Sequence, residues 1–117
     1  MQLQLHGKKI WLFREPINFC KLIDGLVSLI ATQTQYKPQE GIYLFYNKAR
    51  DKVKCLSWHR NGYILLYKRL ESGKFCFRHN PSTGMIEVDT AELGWLLADL
   101  EWQKMRDWKE LNYDKFN

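Results

Sequence analysis

Two cysteine–histidine pairs have a spacing that is compatible with metal binding. Cys55 precedes His59 by four positions, and Cys76 precedes His79 by three. Thiolate and imidazole are common zinc ligands, and four of them complete a tetrahedral site. Because alternate residues of a strand share a face, the first pair can point the same way, whereas the second cannot unless the chain turns. The pattern gives zinc little support, and we predict neither a metal nor a cofactor.

The acidic residues show no arrangement suited to catalysis on nucleic acids. Enzymes that cut or join DNA commonly use carboxylates to hold two metal ions around the reacting phosphate. Seven candidate acids are scattered over predicted helices and turns: Asp24, Asp51, Glu71, Asp89, Glu92, Asp99 and Glu101. The sequence also lacks a glycine-rich loop that ends in Gly-Lys-Ser/Thr. We therefore predict that the chain is not an enzyme.

Positive charge is concentrated in the middle of the chain. The 117 residues carry a formal charge of +5. Residues 48–79 hold nine Lys and Arg against two acids, whereas residues 87–117 hold eight acids and four bases. Lys and Arg bind the phosphates of DNA and release counterions, although a merely solvated face explains the same charges. The predicted DNA-binding residues are Lys21, Lys48, Arg50, Lys52, Lys54, Arg60, Lys68, Arg69 and Lys74.

Aromatic residues support two further interpretations. Five of them are interleaved with the basic residues: Trp58, Tyr63, Tyr67, Phe75 and Phe77. Such rings can stack on single-stranded bases, although packing in the core is their commoner role. In the acidic C-terminal segment, Trp102 and Trp108 are candidates for binding a partner, because tryptophan is enriched at interface hot spots. The alternative function is an adaptor that docks on another protein, or on itself, without contacting DNA.

Periodicity and turn signals predict the elements that position these residues. Residues 10–14 are expected to form a strand, and apolar steps of three and four over residues 18–35 predict an amphipathic helix. Asn61-Gly62 predicts a type I′ hairpin turn. Strand-like runs follow the helix at residues 42–46, 53–59, 63–70 and 75–78, with residues 85–88 as a further candidate.

A second helix is expected near the C-terminus. Thr90 is a suitable N-cap for residues 91–102, and the tail is expected to fray from about residue 110. Short connections favour antiparallel pairing. The predicted fold is α+β: an antiparallel β-meander of four to six strands with an N-terminal helix and a C-terminal helix packed on the sheet, in a single domain spanning residues 1–117.

The composition favours a cytoplasmic protein that is not in a membrane. The longest apolar stretches are much shorter than a membrane span, and the first residues alternate instead of forming the apolar run of a signal peptide. Three irregularly spaced cysteines do not suggest a disulfide framework. We therefore expect reduced thiols and a cytoplasmic location.

Five blocks of residues, in the same order and spacing, resemble a known family. Residues 43–54, YLFYNKARDKVK, are similar to the "FVFRGRRGDLIKV" block of TnpB-type accessory proteins from the "sixty-six" family of bacterial insertion sequences. Residues 58–62 resemble its Trp-x-x-x-Gly, residues 68–75 its "KRLERGRF", and residues 93–97 its "LGYLL". Lys21 and residues 24–26 are similar to its "RKGFDGL". The resemblance runs from about residue 10 to residue 102.

The resemblance implies a mobile-element protein that acts beside a separate, larger transposase. DNA and that transposase are then the expected partners, and self-association is left open. The chain departs from the family where its arginine and glycine are replaced by Cys20 and Leu22. If that arginine contacts a phosphate, this chain has lost the contact. The working hypothesis is a non-catalytic accessory protein in DNA transposition that binds DNA through the basic surface of the β-meander.

Overall fold

The computed structural model describes residues 7–77 and 82–97 of the chain. The predicted frayed tail, Trp102 and Trp108 lie outside these residues, as do Arg78, His79 and the second half of the predicted C-terminal helix.

The described residues form an α+β fold with one five-stranded sheet and two α-helices. The strands are β1 (Lys9–Phe13), β2 (Gly41–Tyr46), β3 (Lys52–His59), β4 (Gly62–Arg69) and β5 (Met85–Val88). The helices are α1 (Ile23–Gln33) and α2 (Thr90–Leu97), and a short 3₁₀ turn, Pro38–Glu40, precedes β2. The strand order is β4-β3-β2-β1-β5.

The sheet is mixed, so the prediction of a purely antiparallel meander is wrong. β2, β3 and β4 do form an antiparallel meander, and β5 is antiparallel to β1. β1, however, pairs in parallel with β2. The physical reason is that α1 lies between these two strands in the chain, and a helical crossover returns the next strand in the same direction.

Residues 75–77 do not form the predicted fourth strand of the meander. The chain turns after β4, with Gly73 at a φ of 82°, and comes back towards the turn between β2 and β3. There the Phe75 N–H donates to the Arg50 carbonyl at 2.7 Å. Phe75 is buried in a hydrophobic cluster, so this segment covers the sheet instead of extending it.

The N-terminal helix is shorter than the apolar spacing predicts, because α1 begins at Ile23 and not at residue 18. The preceding residues form a turn, in which the Asn18 Oδ1 accepts the Cys20 N–H at 2.8 Å. The carbonyls of Phe19 and Lys21 both accept hydrogen bonds from the Lys54 ammonium. These two carbonyls therefore accept hydrogen bonds from a side chain and not from the backbone N–H groups of a helix. Within α1, Leu26 and Ile30 are buried.

Both faces of the sheet are covered. One cluster contains Leu26 and Ile30 of α1 with Tyr43, Phe45 and other side chains. The second cluster, on the other face, is shared with Leu93 and Leu96 of α2. Because successive strand residues point to opposite faces, both sets of β2 side chains are enclosed and all six β2 residues are buried. We call the two sides the α1 face and the α2 face.

The hairpin between β3 and β4 has a different turn from the predicted type I′. His59 pairs with Gly62, so the two turn residues are Arg60 and Asn61. Arg60 has a φ of 58°, whereas Asn61 has no positive φ. A type I′ turn needs a positive φ at both positions. The predicted hairpin is therefore present, but its register places Gly62 in the strand.

Candidate functional site

Five of the predicted DNA-binding residues meet at one end of the sheet. At this end β2 leads into β3, and the loop after β4 is joined to that turn by two backbone hydrogen bonds, from the Leu70 N–H to the Asp51 carbonyl and from the Phe75 N–H to the Arg50 carbonyl. We call this region the basic end and define it by five residues: Lys48, Arg50, Lys52, Arg69 and Lys74.

The cations of the basic end differ in exposure. Lys48, Arg69 and Lys74 are exposed, whereas Arg50 and Lys52 are partly buried. Lys52 and Arg69 are register partners on β3 and β4, and strand alternation places both on the α1 face. Antiparallel register therefore brings together two cations that are 17 positions apart in the sequence.

Two carboxylates at the basic end already have polar partners. The Asp51 Oδ1 accepts the Asn47 Nδ2–H at 2.6 Å, and this hydrogen bond is the main cause that lowers the pKa of Asp51. Glu71 accepts two hydrogen bonds from the Arg69 guanidinium, at 2.8 and 3.0 Å. The five cations thus face two carboxylates, which leaves the basic end with a positive excess.

Lys54 was predicted to contact DNA, but it lies in the interior. Only 1% of its surface is exposed. Its Nζ donates to the carbonyls of Lys21 at 2.6 Å and Phe19 at 3.0 Å, and it lies 4.8 Å from the Phe19 ring centroid. Burial lowers the pKa of the Lys54 ammonium. Lys54 fastens the segment before α1 to the sheet and is removed from the predicted surface.

Lys68 and Arg60 do not belong to the basic end, Lys68 because it points to the other face of the sheet and Arg60 because it lies at the other end. Lys68 is on the α2 face, and its Nζ donates to the Leu97 carbonyl at 3.1 Å. Arg60 lies in the turn at the other end of the β3–β4 hairpin. The eight-residue length of β3 separates it from Lys52 by roughly 25 Å.

Lys21 borders the basic end on the α1 face. It is exposed, while its carbonyl accepts a hydrogen bond from Lys54. A Cβ added at Gly25 would lie 3.2 Å from the Lys21 Cβ, so the Lys21 side chain passes close to the first turn of α1. Cys20, at the position of the family's arginine, is also exposed.

A cavity of about 510 Å³ lies beside the basic end. Lys48 and Lys52 line it together with residues that the sequence analysis did not assign to the site. These are Asn18, Phe19, Cys20, Asn47, Ala49 and Tyr67. In the sequence, Tyr67 is one of five interleaved aromatics. The signal that identifies it is register, because β4 pairs Tyr67 with Lys54 next to the Lys52–Arg69 pair.

In the Cys55–His59 pair, the surroundings of Cys55 disfavour the thiolate form that binds metal. Cys55 is fully buried in the cluster on the α2 face, and burial raises the pKa of its thiol to about 12. A metal ligand must be deprotonated. In the part of the chain that the structure describes, three or more His, Cys, Asp or Glu side chains nowhere come together in a way that could hold a metal ion.

Neither α1 nor α2 is long and apolar enough to span a membrane, and this holds for every helix in the described ranges.

Comparison with known proteins identifies relatives over most of the chain. Residues 8–107 match the family model TnpB_IS66, described as IS66 Orf2 like protein. The chain is also 33% identical over 101 residues to an uncharacterized protein, y4jC, of Sinorhizobium fredii, and the match covers 86% of each chain. No solved structure matches the chain.

Proposed function

The chain belongs to the IS66 Orf2-like family, which is associated with transposition, and from this premise we propose that it is a non-catalytic accessory protein whose basic end binds the phosphates of duplex DNA. The observation that carries the proposal is the convergence of five cations from three separate segments on one end of the sheet.

The ion pairing of the basic end supports binding to an external polyanion. Arg69 forms a salt bridge with Glu71. Lys48 and Lys74 are exposed and have no carboxylate within salt-bridge distance among the described residues. Exposed lysines of this kind can neutralise phosphates and release counterions, which is the main source of affinity without sequence preference.

The elements at the basic end favour contact with the DNA backbone over reading of bases. The cations lie in a turn, at strand ends and in a loop, and no helix of the described residues presents them to a major groove. Phosphate contacts fix position on a duplex but carry no sequence information. We therefore assign the protein a general affinity for duplex DNA, with the choice of site left to its partners in transposition.

A charge-reversal experiment tests the location of the surface. The triple variant Lys48→Glu, Lys52→Glu, Lys74→Glu is compared with Lys9→Glu, Lys37→Glu, Arg60→Glu at the opposite end of the sheet. Each set changes the formal charge by six, from +5 to −1. We expect fluorescence anisotropy with a duplex at low salt to show a loss on the order of 100-fold for the first variant and a much smaller loss for the second.

Equal losses in the two variants would show that overall charge, and not the basic end, attracts the DNA. Absence of duplex binding by the wild-type protein at low salt would overturn the proposal. It would leave the adaptor function as the working hypothesis, to be tested by co-purification with the transposase of the same element.

A further inference from the structure

The cavity beside Lys48 and Lys52 combines an exposed aromatic ring with positive charge. Its volume of about 510 Å³ lies within the usual range of sites for small organic groups. None of its eight lining residues is acidic. The neighbouring Asp51 carboxylate accepts the Asn47 side-chain hydrogen bond. The cavity therefore suits a group that is both planar and anionic.

The Tyr67 ring is held in place while much of it stays in contact with solvent. It meets the Phe19 ring edge-on, with centroids 6.0 Å apart and planes at 73°. The Lys54 ammonium lies 5.6 Å from the Tyr67 centroid. Despite these contacts, 51% of the residue is exposed. A ring that is positioned in advance loses little conformational entropy when a second planar group stacks on it.

The other interleaved aromatics lack this setting. Phe75 is 2% exposed, and Phe77 packs against Tyr46 with centroids 4.4 Å apart. Trp58 and Tyr63 contact each other edge-on at 4.9 Å, near the turn that carries Arg60. Tyr67 alone among the five combines large exposure with lysines of the basic end.

We infer that the cavity binds an unpaired nucleotide of single-stranded DNA, with its base stacked on Tyr67 and the flanking phosphates on Lys48 and Lys52. In a duplex both faces of each base are covered by its neighbours, so only an unpaired strand offers a free face to the ring. The inference rests on the proposed function for its polyanion but adds a contact that duplex DNA cannot make.

The test compares single-stranded and duplex DNA at one ionic strength. An oligothymidine of about 12 nucleotides, within the length that small single-strand sites cover, is titrated beside a duplex of random sequence. We expect Tyr67→Ala to weaken binding of the single strand about 5- to 100-fold and to leave duplex affinity unchanged. Tyr67→Phe keeps the ring and should bind as the wild type does.

The matched control is Tyr36→Ala. Tyr36 is also an exposed tyrosine, at 40%, but it stacks on Trp11 with centroids 4.7 Å apart in a different cavity. Its replacement should leave binding of the single strand unchanged. Equal loss in the two alanine variants would overturn the inference.

A second measurement detects stacking directly, and its result for the wild-type protein does not depend on the folding of a variant. 2-Aminopurine placed within the single strand loses fluorescence when it stacks on an aromatic ring. Quenching by the wild type and by Tyr36→Ala, but not by Tyr67→Ala, is the expected result. Absence of quenching at saturation would overturn stacking. Duplex binding without that quenching would contradict this inference alone, whereas no binding to either DNA would contradict the proposed function as well.

Discussion

The ammonium of Lys54 donates to two backbone carbonyls and lies close to two aromatic rings. Removing a charge from water is costly unless dipoles replace the lost hydration, and here the carbonyl oxygens and ring faces supply that replacement. The residue fixes the segment that carries Phe19 and Cys20, both of which line the cavity. Lys54 thus shapes the candidate site without contacting its ligand.

The buried thiol of Cys55 gives a prediction at high pH. The pKa of Cys55 is raised from 9.0 to about 12 by burial. Above pH 9 the unfolded chain loses this proton while the folded chain keeps it, so stability is lost as the pH rises towards 12. We expect the free energy of unfolding to fall by roughly 1 kcal/mol per pH unit from this group alone.

Cys55→Val removes the thiol and keeps a small apolar side chain in the cluster. Urea denaturation from pH 8 to pH 11 should show a shallower alkaline fall for the variant. A residual fall is expected in both proteins, because burial also raises the pKa of Tyr43 to about 12. Identical slopes for the two proteins would show that Cys55 does not titrate in this way.

The direction in which β1 and β2 pair is set by an element outside either strand. Hydrophobic periodicity predicts that β1 is a strand and that a helix follows it. It does not predict the direction in which two strands pair. Direction follows from the connection, since α1 carries the chain back to the start of the sheet before β2 begins. The meander was predictable because its turns are short enough to permit only antiparallel pairing.

Gly41 gives a prediction at the start of β2. A Cβ at this position would lie 3.1 Å from both Cζ and Oη of Tyr43. Tyr43 is fully buried, and its hydroxyl donates to the Lys37 carbonyl at 2.9 Å, so the ring cannot move without losing that bond. Gly41→Ala should lower the free energy of unfolding by about 1–3 kcal/mol, measured by urea denaturation.

Gly62→Ala is the matched control for this prediction. Gly62 also begins a strand, but a Cβ there would meet no atom within 4 Å. The free energy of unfolding of Gly62→Ala should stay within about 0.5 kcal/mol of the wild-type value. Similar losses at the two glycines would indicate a general effect of alanine at strand starts and would contradict the specific role of Tyr43.

At the scale of the whole molecule, the sequence predicts that the candidate surface is positively charged, but not which cations belong to it. The excess of Lys and Arg over residues 48–79 is visible without any structure. Strand register and sheet face decide which of these side chains lie close together. Lys68 and Arg69 are adjacent in the sequence, but they lie on opposite faces of the sheet. The burial of Lys54 could not be predicted from the sequence either, because a lysine in a strand is usually exposed.

The salt dependence of duplex binding measures which cations touch phosphates. Each phosphate contact that is lost should make the slope of log K against log salt concentration shallower by about 0.9. We expect Lys48→Ala and Lys74→Ala to reduce the slope by this amount each, and the double variant by about twice as much. The control is Arg60→Ala, at the opposite end of the hairpin, which should keep the wild-type slope. If Arg60→Ala reduced the slope and the two lysine variants did not, the DNA would bind at that opposite end. Because the slope counts contacts independently of total affinity, it also separates a lost phosphate contact from a general weakening caused by lower stability.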